Sequence, residues 1–135
     1  MPSIVFIEIG TIPHNEQRYP TIGDWRNVSR LAVAKPKDVL VVSVSAMQNP
    51  DYEFLVGLHE LVEAWLCKKH GITAAQVDEF DMEHLDEEPG DNPKAPYFLE
   101  HQFAAKVEKL MAEELDVNWE EYEKHLTEVL TCQPS

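Results

Sequence analysis

The chain has 135 residues, enough for one domain with a buried core, and 44% of them are hydrophobic, which excludes global disorder. No apolar run approaches the length of a membrane span. The formal net charge of −14, from 25 acids against 11 Lys and Arg, argues against direct nucleic-acid binding, because affinity for a phosphate backbone comes from basic side chains.

The charge is uneven. Residues 1–50 hold four acids and five bases, whereas residues 78–135 hold seventeen acids and four lysines. An acidic half fits cation binding, a basic protein partner or simple solubility. Cys67 and Cys132 lie far apart without a CxxC pattern, so the chemistry expected is that of a reducing cytoplasm without a disulfide framework. Cys67 at helical spacing from Glu63 reads as a buried thiol ahead of a metal ligand.

The N-terminal stretch MPSIVFIEIG lacks a basic region and carries an acid inside its apolar run, so it reads as a strand over Ser3–Ile9 and not as a signal peptide. GTIPHNEQRYPTIGDW is rich in Pro and Gly and reads as an irregular loop. SRLAVA and DVLVVSVSA are two further strand-like runs, and KPKD between them predicts a hairpin. Leu40, Val42, Val44 and Ala46 would share one face, with Ser43 and Ser45 on the other.

After NPD the period changes. Asn49 or Asp51 can cap a helix that runs to about His70 and stops at Gly71, with Leu55, Leu58, Val62, Trp65 and Leu66 as its buried stripe. TAAQVDEFD reads as a short helix capped by Thr73. MEHLDEEPGDNPKAP, with three prolines, reads as a stiffened acidic connection. PYFLEHQFAAKVEKLMAEEL is a long helix with an apolar stripe of Leu99, Phe103, Val107 and Leu110. NWEEYEKHLTEVL is a final helix with Asn118 as its cap and Glu121 at the capping-box position. Strands first and helices after predict an α+β fold in one domain over residues 1–135: a small antiparallel sheet of about three N-terminal strands followed by three to four helices packed on it.

One turn of the first helix concentrates His59, Glu60 and Glu63. His59 and Glu63 stand four residues apart, about 40° round the axis and one turn above each other, so both side chains can reach one metal ion. Zinc accepts imidazole nitrogen and carboxylate oxygen. Glu60, about 100° from His59, would poise a metal-bound water without being a ligand. His101 lies in the long helix beside Ala104, Ala105 and Glu108, away from the apolar stripe, where small residues let another helix approach. It is the candidate third ligand, ahead of Asp78 and Asp81. The competing reading of the same turn is a half-buried histidine hydrogen bonded to an acid beside solvated glutamates.

His59-Glu60-Leu61-Val62-Glu63 resembles the HExxH active helix of zincin metallopeptidases, with Glu63 in place of the second histidine. The resemblance implies a minimal zincin-like fold, His59 as a zinc ligand, Glu60 as general base and a third ligand from a downstream helix. The wider pattern, HELVEAWLCKKHGI through VDEFD to EPGDNPKAPYFLEH, resembles small uncharacterised proteins of tailed phages, which would place the chain in a host cytoplasm and implies no activity.

Three functions compete. The first is a metal-dependent hydrolase using a metal-bound water, with a divalent metal, zinc, as cofactor. The second rests on Glu60-x-x-Glu63 followed by Asp78-x-x-Asp81, which resembles the acidic clusters of α-helical, magnesium-dependent nucleoside-triphosphate pyrophosphohydrolases. The third is a non-enzymatic acidic protein that binds or inhibits a basic partner. The substrate is not legible.

Overall fold

A computed structural model of the chain describes residues 5–31, 36–85 and 87–131. Ser3, Ile4, Lys35 and Cys132, which figure in the expected first strand, hairpin turn and cysteine pair, lie outside them. The strands are β1 (Val5–Ile12), β2 (Gly23–Leu31) and β3 (Pro36–Ser45). The helices are α1 (Pro50–Lys69), α2 (Ala74–Glu83), α3 (Phe98–Glu114) and α4 (Trp119–Thr131), with single 3-10 turns at His14–Glu16 and Pro89–Asp91. The fold is α+β, as expected: three strands, then four helices packed on them.

The sheet is mixed and not wholly antiparallel. β2 and β3 form the antiparallel pair, with Leu31 opposite Pro36 across the hairpin. β1 lies on the other side of β3 and runs parallel to it, Val5 opposite Asp38 and Ile12 opposite Ser45. The reason lies in the segment after β1, which crosses the end of β3 and is pinned there. His14 Nδ1 lies 2.8 Å from Ser45 Oγ, Gln17 donates from Nε2 to the Ser43 and Ile22 carbonyls at 3.2 Å, and Ser45 N–H donates to the Ile22 carbonyl at 2.8 Å. β3, rich in β-branched residues, becomes the central strand, where its Leu40, Val42 and Val44 face is buried. Ala46, expected on that face, lies past the strand end and is exposed.

Each helix boundary has a local cause. Asn49 Oδ1 accepts from the Tyr52 N–H at 3.1 Å to start α1, and Gly71, with φ of 76°, ends the helical run just after it. Thr73 and Gln76 form a complete capping box on α2. Asn118 Oδ1 accepts from the Glu121 N–H at 3.0 Å ahead of α4.

The faces of the two long helices depart from the expected stripes. On α1, Leu55 is buried as predicted, but Leu58, Val62 and Leu66 are half-buried and Trp65 is 46% exposed. On α3, Leu99 is 74% exposed, and Phe103 and Leu110 also face solvent. What the pair buries instead includes His59, Glu63, Ala64 and Cys67 from α1, and Glu100, His101, Ala104, Glu108 and Ala112 from α3. Ala64 and Ala104 are almost fully buried, and these small side chains let the helices come together around the polar ones. No helix among the described residues is long and apolar enough to cross a membrane.

Candidate metal centre

The buried polar residues of α1 and α3 meet at one point. His59 Nε2, Glu63 Oε2 and His101 Nδ1 form a triangle with sides of 3.2 Å, 3.1 Å and 2.9 Å. Ligands at about 2.0–2.1 Å from a tetrahedral ion stand about 3.3 Å apart, so the three donor atoms already occupy nearly the spacing of three tetrahedral corners. All three residues are buried, which limits water's competition for the site. The helix spacing predicted for His59 and Glu63 is thus realised, and His101 arrives from the facing helix.

Each donor is held from behind. His59 Nδ1 lies 2.7 Å from Glu108 Oε1, and the Tyr122 hydroxyl of α4 donates to Glu108 Oε2 at 2.5 Å. Trp25 of β2 donates its indole N–H to Glu63 Oε1 at 3.1 Å, leaving Oε2 to the triangle. His101 Nε2 lies 3.3 Å from Asp91 Oδ1. A carboxylate behind each imidazole fixes the ring's orientation and raises its basicity toward a metal, the usual outer arrangement of metal-bound histidines. Gly90 completes the cradle, because a Cβ at that position would overlap the His101 ring.

The electrostatics of the triangle are set by the hydrogen bonds among its own members. Burial alone would lower the His59 imidazole, yet hydrogen bonds to Glu108 and Glu63 raise it well above its ordinary value. His101 follows the same pattern through Glu63. Burial opposes ionisation of Glu63, but hydrogen bonds from His101 and His59 hold it down at about 2. Glu60 points into the same cavity without a hydrogen-bond partner among the described residues. Burial, and then the Glu63 charge, push its carboxyl well above the ordinary range, with His59 pulling the other way. Gly23 makes room for it, since a Cβ there would stand 2.7 Å from Glu60 Cγ.

The triangle opens into a cavity of about 450 Å³ walled by β2, α1, the Pro89–Asp91 turn, α3 and α4. The acidic connection, read from sequence as a stiffened link, therefore also borders the site through Glu87, Glu88 and Asp91. Asp78 and Asp81 stay apart from the ligand triangle. Asp78 is paired with Arg18 at 3.1 Å, and Arg18 also binds Asp24 at 2.7 Å. Asp81 accepts hydrogen bonds from the Tyr97 and Tyr19 hydroxyls on the cavity wall. Cys67 is a fully buried thiol, as expected, and burial raises its pKa further from ionisation.

The sequence reading missed four supporting residues: Glu108 as the partner of His59, Tyr122, Trp25 and Asp91. Glu108 carried a signal, since it lies seven residues from His101 on the same helical face. Tyr122 reads as one more apolar position of α4, and Trp25 and Asp91 sit in segments without helical periodicity. No family model matches the chain, and no curated protein or solved structure is significantly similar to it.

Proposed function

We propose that this protein is a divalent-metal-dependent hydrolase in which His59, Glu63 and His101 hold the ion and Glu60 serves as general base. The observation that carries the reading is the triangle of three buried donor atoms, 2.9–3.2 Å apart, open to a cavity on one side. Two imidazoles and one carboxylate are a donor set of catalytic zinc sites, which keep a fourth position free, and this favours zinc. A bound ion would lower the pKa of water in that position and polarise a carbonyl oxygen. Glu60 has the properties of a proton acceptor for such a water. It lines the cavity one helical step from His59, has no competing hydrogen bond among the described residues, and carries a carboxyl that burial and the Glu63 charge make more basic than usual. Glu108 and Asp91 orient the imidazoles, and Trp25 keeps Glu63 aligned. The likeness of His59-Glu60-x-x-Glu63 to the zincin helix agrees with these roles, with His101 supplying the second imidazole.

The pyrophosphohydrolase alternative has less support. Its second acidic cluster, Asp78 and Asp81, is held by Arg18 and by two tyrosines, and among the described residues the cavity wall offers no lysine or arginine to a polyphosphate. The deciding experiment is elemental analysis of untagged protein beside His59→Ala and His101→Ala. Near-stoichiometric zinc in the parent, lost in both variants, is expected. Zinc content unchanged by His59→Ala would overturn the assignment. Titrating zinc into stripped protein should also raise its Tm, since free ion at 1,000 times Kd adds about 4 kcal/mol to a folded state that alone binds it.

A further inference from the structure

The cavity beside the metal triangle has a wall of one sign. Among the described residues nine carboxylates line it, and no lysine or arginine does. The Arg18 guanidinium, which reaches the wall residue Asp24, is consumed by Asp24 and Asp78. Several of the nine are also committed: Glu63 and Glu108 to the histidines, Asp24 to Arg18, and Asp81 to two tyrosines. Glu88 and Glu123 are not. They stand at the solvent-exposed edge, Glu88 before the Pro89–Asp91 turn and Glu123 on α4, and neither side chain has a hydrogen-bond partner among the described residues. Asp91, also on the wall, is 67% exposed and lies 3.3 Å from His101 Nε2.

A bound dication would offset only two of these charges. An anionic substrate would have to cross the acidic edge against repulsion, whereas a cation is drawn in and concentrated there. The remaining wall is apolar and aromatic, with Trp119, Leu126 and Leu130 of α4 and Val56 of α1. An apolar wall under an acidic rim matches a methylene stem that ends in a charged nitrogen.

Resting on the hydrolase reading, the geometry points to a substrate that carries an alkylammonium group beside the bond to be cleaved, held by Glu88 and Glu123 at the rim. In a peptide this group is either a lysine side chain or the free amino terminus. An amide with neither should bind weakly, and one bearing a carboxylate there should be excluded.

The test is calorimetric binding of four tripeptide amides at low salt, on zinc-loaded and on chelator-stripped protein. Three are N-acetylated Ala-Xaa-Ala amides with lysine, norleucine or glutamate at Xaa, and the fourth is the norleucine peptide with its amino terminus free. At least one ammonium-bearing peptide should bind tenfold or more tighter than the acetylated norleucine peptide, and the glutamate peptide should not bind. Preference for the lysine peptide assigns the side chain as the group recognised, and preference for the free amine assigns the terminus. In Glu88→Gln/Glu123→Gln the advantage should fall below threefold. Both residues are exposed, so the fold is expected to persist, and circular dichroism checks it. Equal binding of charged and neutral peptides overturns the inference, as does an advantage that the double variant leaves intact. Zinc analysis of the same samples separates the two readings. Zinc bound without ammonium preference removes this inference alone, and ammonium preference in a protein that binds no zinc removes the metal reading alone.

Discussion

Helix α1 meets two neighbours with opposite chemistry. Toward the sheet it presents Val56, which lies against Gly23 of β2, and Gly57, which faces Val44 and Ile9. Toward α3 it presents His59 and Glu63, met by His101 and Glu108. The first seam is ordinary core, in which each buried methylene adds about 0.8 kcal/mol. The second removes several ionisable groups from water, a cost of several kcal/mol per ion that hydrogen bonds only partly return. A fold that needed only stability would fill the second seam as it fills the first. The contrast teaches that α1 is anchored by one side and equipped by the other.

The contrast can be broken from either seam. Val44→Ala, at a fully buried position of β3 facing Gly57 of α1, should cost about 2–3 kcal/mol in urea unfolding while the folded protein keeps its affinity for zinc. Equal loss of affinity in the folded fraction would mean that the seams are not separable.

Asp81 offers a pH test. Burial raises its carboxyl to about 6, against the lowering effect of hydrogen bonds from Tyr97 and Tyr19. Between the ordinary Asp value and about 6, the folded carboxyl keeps a proton that the unfolded chain has released. The unfolded state binds fewer protons there, so this group's contribution to stability falls as pH rises through that window and is gone above it. Asp81→Asn should flatten that slope and leave the protein about 2–3 kcal/mol more stable near pH 7 than the parent, read from urea midpoints between pH 4 and 7. An unchanged pH profile would place the carboxyl in the ordinary range.

Smaller effects sharpen the second seam. Glu108→Gln keeps an acceptor for His59 but removes the charge, and should weaken zinc binding about 10–100-fold in competition with a chromophoric chelator. Tyr122→Phe removes only the hydroxyl that donates to Glu108, and should cost about 1 kcal/mol of stability and less affinity than the Glu108 change. If Tyr122→Phe weakened zinc more than Glu108→Gln, the order of support behind His59 would be wrong.

The sequence carried the element order, the caps at Asn49, Thr73 and Asn118, and the α+β division, because each depends on neighbours a few residues away. It also brought His59 and Glu63 together, since helical spacing alone does so, and it singled out His101. It misjudged the faces of α1 and α3. Amphipathic reasoning takes Trp65, Leu99 and Phe103 as inward and leaves Glu108 off the buried stripe, and that holds only where a seam is filled for stability. Polar residues buried between two helices invert it. The parallel place of β1 was equally hidden, because it depends on His14 and Gln17 reaching serines about thirty residues away.

Tyr122 ties the last helix of the chain to the metal triangle through Glu108 and His59. An ion that fixes His59 against Glu108 also fixes in place the carboxylate to which Tyr122 donates, and linkage makes the exchange reciprocal. Amide protons along α4, which supplies no ligand, would then slow their exchange with solvent as the site fills. The C-terminal helix is in this sense a gauge of occupancy, readable without touching the ion or the residues that bind it.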